Sequence, residues 1–204
     1  MSSEIFIVRH GQNVDNANGI LNGHRDLPLT DIGRQQAKQL AIGIKSTGIK
    51  VDKIFTSPLI RAVETAQIVA SEIGSDPPEV MDELIERDFG VMTGKKTTEI
   101  EELCAPDIIK SNTITYFLDP EGAETFPQLI ERGKKVLSNL DKISLGFSSI
   151  LLVCHGDIGK MIYCAQTGKD WRSVLEDFHF GNAELIDIGK DGDVKTIDID
   201  QYNH

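Results

Sequence analysis

Apolar positions along this chain fall into two patterns: short continuous runs, and longer stretches with a helical repeat. Ile5-Phe6-Ile7-Val8 is an unbroken, mostly β-branched run, which predicts a buried strand rather than a helix start. Residues 12–29 are polar and turn-rich, too long for an idle connection. Thr30 reads as the cap of a helix with Ile32, Leu40, Ala41 and Ile44 on one face and Gly48 closing it. Val51-Asp52-Lys53-Ile54-Phe55 is a second strand, and Ser57-Pro58 reads as N-cap and first residue of a helix running to Gly74.

A short strand near residues 79–81 leads to Glu86 and a glycine-punctuated turn. Residues 95–125 mix short helical stretches with the breakers Pro106 and Pro120, the pattern of a lid-like insertion. The spacing of Leu129/Ile130, Gly133, Val136/Leu137 and Leu140 predicts a helix over 126–143. Ser149-Ile150-Leu151-Leu152-Val153-Cys154 is the strongest strand signal in the chain. Helices over 157–167 and around Trp171 follow, then a hairpin of 184–188 and 194–199 across Gly189 to Gly192. Strands alternating with helices predict an α/β fold, a three-layer α/β/α sandwich around a mostly parallel sheet. At 204 residues one domain spanning 1–204, with its insertion at about 95–125, is expected.

The first strand and the strongest one end alike, in Arg9-His10-Gly11 and in His155-Gly156. One His-Gly pair is an ordinary turn. Two of them, after two apolar strands that parallel pairing sets side by side, place two imidazoles at the sheet edge where α/β proteins bind ligands. Gly11 and Gly156 would let a ligand approach the backbone closely. Arg61 is expected one turn inside the helix after the second strand, where free N–H groups and a guanidinium fork suit an anion. Taken alone it reads more readily as a surface arginine paired with Glu64 or a neighbour. Glu86 is a carboxyl that a neighbouring phosphate would hold protonated, with Asp82, Glu83 and Asp88 as competitors for the role.

Composition removes several alternatives. The net charge of −11 repels nucleic acid and acidic membranes, so neither is an expected partner. An anion site in such a chain has to be a local basic pocket. No apolar run approaches the ~20 residues of a membrane span. The start Met1-Ser2-Ser3-Glu4 lacks the basic region of a signal peptide. Cys104, Cys154 and Cys164 are widely spaced and odd in number, which reads as reduced thiols in a cytoplasmic protein. Cys154 ends an apolar strand and is assigned to the core, and His179 to the packing around the last strand. Trp171 is expected to anchor its helix, and His204 to be disordered at the terminus. His24 and Arg25 belong either to the pocket mouth or to solvent.

In order along the chain, these residues resemble one family, the histidine phosphatase superfamily, which includes the cofactor-dependent phosphoglycerate mutases. Arg9-His10-Gly11 is similar to its signature, and Thr56-Ser57-Pro58-Leu59-Ile60-Arg61-Ala62-Val63-Glu64-Thr65-Ala66 to its second block. Glu86 to Gly94 resembles its acid loop, and Val153-Cys154-His155-Gly156 its last block. Asp26-Leu27-Pro28-Leu29-Thr30 with Gly33 resembles the approach to its first helix, and Pro120-Glu121-Gly122-Ala123-Glu124-Thr125 the entry to a later one. The resemblance implies that His10 is a nucleophile forming a phosphohistidine, with Arg9, Arg61 and His155 holding the phosphoryl oxygens. It also implies that Asn16 contacts the phosphate and that Glu86 serves as general acid. A neutral imidazole, with an ordinary pKa of about 6.5, is a competent nucleophile at neutral pH. Two arginines and a second histidine supply charge stabilisation without a metal; no metal and no cofactor are expected.

The acid loop leans toward the mutases of that family and the lid does not. Mutases carry two adjacent arginines in the lid, whereas residues 97–125 here hold Lys110 as their only basic residue among seven acidic ones. Lys95 and Lys96 add charge only at its entrance. Such a lid is expected to repel a second acidic group on a substrate, which favours a phosphomonoesterase acting on a small phosphorylated metabolite. A mutase is the alternative. A non-catalytic phospho-ligand-binding protein is a third reading, against which stand His10 and Glu86, both present. Tyr116, Phe117 and Leu118 are expected to offer an apolar surface to the leaving group, and the protein is expected to be a monomer or homodimer.

Overall fold

The structure is a computed structural model that describes residues 3–143, 146–188 and 194–197. Strand β1 (Glu4–Arg9) is followed by a short helix α1 (Val14–Ala17) inside the long polar loop, then by α2 (Asp31–Thr47). Next come β2 (Lys53–Thr56), α3 (Ile60–Ile73) and a two-residue β3 (Glu79–Val80). The lid region holds α4 (Ile100–Cys104) and strands β4 (Ile108–Lys110) and β5 (Thr115–Phe117). After it run α5 (Phe126–Ile143), β6 (Ser149–Cys154), α6 (Gly156–Thr167), α7 (Trp171–Asp177), β7 (Leu185–Ile188) and β8 (Val194–Ile197).

The main sheet has the order β3-β2-β6-β1-β7-β8. The first four strands in that order pair in parallel, and β7 and β8 close one edge antiparallel. Side chains alternate across a strand, so each strand feeds two cores. Phe6, Val8, Ile54, Leu151 and Val153 point to one face and pack with Leu40, Ala41 and Ile44 of α2 and Ala62, Ala66 and Val69 of α3. Ile7, Phe55, Ile150, Leu152 and Cys154 point to the other and pack with Leu129, Val136 and Leu140 of α5 and Ile158, Met161 and Ile162 of α6. The three-layer α/β/α sandwich with a mostly parallel sheet is the fold of this chain. Among the described residues no helix is long and apolar enough to cross a membrane.

Several local expectations need correction. Thr30 does cap α2, accepting a hydrogen bond from the Gly33 amide, and Gly48 ends it at φ 74°. Ile32, however, is 53% exposed; Gly33, Gln36 and Ala37 take the buried face ahead of Leu40. Helix α3 starts at Ile60 rather than Pro58, because Ser57 to Leu59 form a turn whose Ser57 hydroxyl serves the site. Arg61 is therefore the second residue of α3, not one turn in. The lid contains an antiparallel strand pair, β4 with β5, in a stretch whose mixed pattern suggested only short helical segments and breakers and no strand. Phe117 draws it inward against Phe89, Met92 and Ile100. His179 is exposed and Phe180 is the residue that packs. Trp171 stacks on Phe126 at 5.3 Å between centroids and anchors α7 to α5. The turn at Gly189 to Gly192 and His204 lie outside the described residues.

Candidate active site

Strands β1 and β6 pair in register, Arg9 opposite Cys154, so the next residue of each strand falls at the same sheet edge. The His10 amide donates to the Cys154 carbonyl at 3.0 Å, and the rings of His10 and His155 meet edge to face at 5.1 Å. Both imidazoles are buried. His10 Nδ1 lies 2.6 Å from the Gly11 carbonyl oxygen. A carbonyl only accepts, so Nδ1 carries the proton and Nε2 the lone pair. Into that lone pair Arg61 donates its Nε–H at 3.1 Å. Burial, with Arg61 and Arg9 adding to it, holds the His10 pKa well below its ordinary value. His10 is a neutral imidazole with Nε2 directed at a guanidinium.

Arg61 is fully buried because α3 begins against the 23–26 loop, whose carbonyls hold it. Its Nη1 donates to the Arg25 carbonyl at 2.7 Å and its Nη2 to the Gly23 carbonyl at 3.0 Å. Burial pushes its pKa down to about 10, still charged at neutral pH. Arg9 donates from Nη1 to the Phe180 carbonyl at 2.9 Å. His155 shares a 2.7 Å hydrogen bond between Nε2 and the Ser57 hydroxyl. Burial first, then Arg61 and His10, keep His155 neutral too. Two buried polar atoms of this cluster have no partner, Arg9 Nε and His155 Nδ1. Native interiors rarely leave such atoms unmatched.

Glu86 enters from the loop after β3 and is 7% exposed. Its carboxyl accepts from the amides of Arg87 at 2.9 Å and, at the N-terminus of α6, of Ile158 at 3.2 Å and Asp157 at 3.4 Å. Those bonds favour the ionised form, yet burial, with Asp157 next, raises its pKa above the usual carboxylate range. The competitors are elsewhere: Asp82 is exposed, Glu83 pairs with Lys135, and Asp88 holds the Gly90 amide.

A cavity of about 230 Å³ is lined by Arg9, His10, Asn16, Arg61, Glu86 and Gly156 among others. These are six of the eight site residues named from sequence. His155 and Gly11 are not in its wall. Gly11 was expected to admit a ligand to the backbone; its closeness serves α2 instead. A Cβ there would lie 2.4 Å from the Gly33 carbonyl oxygen, and its amide donates to the Thr65 hydroxyl. Gly156 does line the cavity, and a Cβ there would lie 3.8 Å from Arg9. His24 and Arg25 stand outside the cavity. His24 holds the Glu86 carbonyl at 2.8 Å, and Arg25 pairs with the buried Asp15 at 2.7 Å.

The lid contributes Thr97 and residues 114–117 to the wall and none of its seven acids. Glu101 pairs with Lys110, Glu124 with Arg132, and Glu99 accepts from the Lys96 amide. The expected repulsion by an acidic lid is thus not exerted from the wall. Tyr116 and Phe117 line the cavity as expected, whereas Leu118 packs against the core.

Sequence reasoning missed four contributors. Arg87 is buried, pairs with Asp157 at 2.8 Å and lies between Phe117 and Phe126, 4.3 Å from each ring centroid. Arg132 of α5 pairs with Glu124 and donates to the carbonyls of Glu83 and Glu86, fixing the acid loop. Ser57 orients His155. Lys160 lines the cavity beside Tyr116. Only Lys160 had a readable signal, four residues beyond Gly156 and so on the same helix face. Among the described residues no group of three or more His, Cys, Asp or Glu is placed to hold a metal ion.

Comparison with known proteins agrees with this geometry. The profile of the histidine phosphatase superfamily (branch 1) matches residues 5–199. A 2,3-bisphosphoglycerate-dependent phosphoglycerate mutase of Mesorhizobium japonicum is 29% identical over 182 residues, covering 86% of this chain and 87% of that protein. Phosphoglycerate mutase-like protein 4 of Arabidopsis thaliana is 34% identical over 163 residues, 79% of this chain and 70% of that one. The solved mycobacterial glucosyl-3-phosphoglycerate phosphatase in complex with VO3 shares the fold. Its TM-score is 0.77 at 22% identity, over 91% of this chain and 92% of that one. With two strand-end histidines, the arginines Arg9 and Arg61 and a sequestered carboxyl in the family's order, the chain belongs to the histidine phosphatase superfamily, branch 1, a family of phosphoryl-transfer enzymes.

Proposed function

We propose that the protein is a phosphomonoesterase that hydrolyses a small phosphorylated substrate through a phosphohistidine on His10. One observation carries this reading: a neutral His10 with its lone pair on Nε2 and a carboxyl raised toward its protonated form in Glu86 line one cavity. Nε2 attacks phosphorus, the bond from phosphorus to the leaving oxygen breaks, and Glu86 gives that oxygen its proton. From the wall, Arg9 and Arg61 take the equatorial oxygens, whose charge such a site chiefly has to stabilise. His155, though not in the wall, has an unpartnered Nδ1 to offer beside His10. Asn16 adds a polar contact from the wall, and Gly156 leaves room beside Arg9. The ionised Glu86 then accepts a proton from the water that attacks the phosphohistidine, which frees phosphate and His10.

The mutase reading differs only in the acceptor, and the two mutase-named relatives favour it. Supporting hydrolysis, the lid part of the wall holds no cation, and Arg87 is already bound to Asp157. Assays of phosphate release and of isomerisation separate the two. The expected outcome is steady phosphate release from monoesters with no conversion of 3-phosphoglycerate to its 2-phospho isomer. Efficient isomerisation after priming with a bisphosphate overturns it.

A further inference from the structure

We infer that His24 is a positioning residue for Glu86, an inference that rests on the phosphomonoesterase reading for the work Glu86 does. Residues 23–26 form a strap between the arginine beside the nucleophile and the loop that carries the acid. On one side the strap holds Arg61, which donates to the carbonyls of Gly23 and Arg25 and, from Nε, to His10. Asp26 extends that side, accepting from the Ile60 amide at 2.6 Å where α3 begins. On the other side lies the acid loop. Between the two carbonyls that Arg61 occupies, the His24 ring reaches the Glu86 carbonyl, with Nε2 at 2.8 Å. A carbonyl only accepts, so His24 Nε2 carries a hydrogen and donates it.

The residues on either side of His24 fix the strap against the same loop. Gly23, at φ 48°, is so close to it that a Cβ there would lie 2.9 Å from Thr93 Oγ1 and 3.2 Å from Phe89. The Arg25 side chain runs beside Gly94 and is held there by the buried Asp15. From the opposite flank Arg132 of α5 donates to the Glu86 carbonyl at 3.2 Å. Both lone pairs of that carbonyl are thus occupied, one from each side. His24 is exposed and outside the cavity wall, so its route to the reaction is this one bond. A general acid has to stand within about 2.6–3.2 Å of the atom it protonates. With its main chain gripped by two donors, Glu86 keeps a set distance from the His10–Arg61 pair, and loss of one donor lets the loop shift.

The test compares His24→Phe, which keeps a ring and loses the N–H, with His24→Gln, whose amide N–H can reach the same carbonyl. Both remove the imidazole's own charge, so a difference between them reads the hydrogen bond. For an alkyl phosphate, whose leaving oxygen needs the proton of Glu86, kcat/KM should fall about three- to tenfold in His24→Phe, the scale of one neutral hydrogen bond. p-Nitrophenyl phosphate, whose leaving group needs no proton, should keep nearly its full rate, and His24→Gln should restore most of the alkyl-phosphate rate. A second readout needs no turnover: titration of the isotope-labelled Glu86 carboxyl by NMR. Its neighbours Arg9, Arg61, Arg87, Tyr116 and Asp157 are unchanged in both variants, so a shift reads the placement of the loop. In His24→Phe the titration should move toward the ordinary carboxylate range, by about threefold or more in ionisation constant, and in His24→Gln it should return. Equal losses for the two phosphates, no loss for either, or an unmoved Glu86 titration in His24→Phe overturns the positioning role. Absence of turnover in the unsubstituted protein, with the titration responding as expected, overturns the phosphomonoesterase reading instead and leaves the role of His24 standing.

Discussion

A histidine acts as a nucleophile only while one ring nitrogen keeps its lone pair, and His10 does so by committing Nδ1–H to the Gly11 carbonyl. Burial and two arginines then prevent protonation of Nε2 at neutral pH. Glu86 is displaced in the opposite sense, upward, by burial and by Asp157. The signs define a window. Activity needs His10 deprotonated, a state its lowered pKa extends to more acid pH. It needs Glu86 protonated, a state its raised pKa extends to less acid pH than an ordinary carboxyl allows. Activity should therefore fall at the alkaline side as Glu86 ionises. Glu86→Gln should lower kcat/KM, which reports phosphoryl transfer to His10 and not the later hydrolysis, by roughly 10²–10⁴-fold for alkyl phosphates, the usual yield of a positioned acid, and remove that alkaline limb. p-Nitrophenyl phosphate, whose leaving group needs no proton, should lose much less. Equal losses for both substrates, read from steady-state pH profiles, argue against the acid role of Glu86.

At the level of elements, the site depends on helix starts brought close to strand ends. The α2 backbone touches the signature loop so closely that a Cβ on Gly33 would lie 2.0 Å from the Gln12 carbonyl oxygen, and one on Gly11 2.4 Å from that of Gly33. Gly11→Ala must push α2 off the loop and should cost about 1–3 kcal/mol or more of stability, the range of overpacking. Gly156→Ala meets nothing closer than 3.8 Å and should stay within about 0.5 kcal/mol. Equal denaturation midpoints for the two variants contradict the close contact. Most elements were legible because their signals are local: the Thr30 cap, the Gly48 stop, the α5 repeat and the unbroken run of β6. The exposed Ile32, the late start of α3 and the β4–β5 pair were not. Each is decided by a partner far along the chain, such as Ser57 meeting His155, or Phe117 meeting Phe89 and Met92.

Across the whole molecule, the sheet does the assembling. Parallel pairing of β1 with β6 joins His10 to His155, and β2 beside β6 brings the start of α3 with Arg61 to the same edge. The fold class, and the six of the eight site residues expected from sequence that line the cavity, followed from motif order, since strand ends in such a sheet converge on one rim. What stayed hidden was electrostatic pairing. The chain's seven lid acids are an overall charge in the sequence, yet in the fold none of them lines the cavity, while Arg87 is matched by Asp157 and Lys160 donates to Tyr116. A local basic pocket thus persists in a chain of net charge −11.

The central claim is that His10 Nε2 carries the phosphoryl group, and trapping the intermediate tests it most directly. Protein mixed with phosphorus-labelled monoester and quenched at alkaline pH within one turnover should hold label on His10, attached at Nε2. Nδ1 should stay unmodified, because its proton is bound to Gly11. His10→Ala should hold none and release no phosphate. Label at another residue or at Nδ1, or undiminished turnover in His10→Ala, contradicts the account.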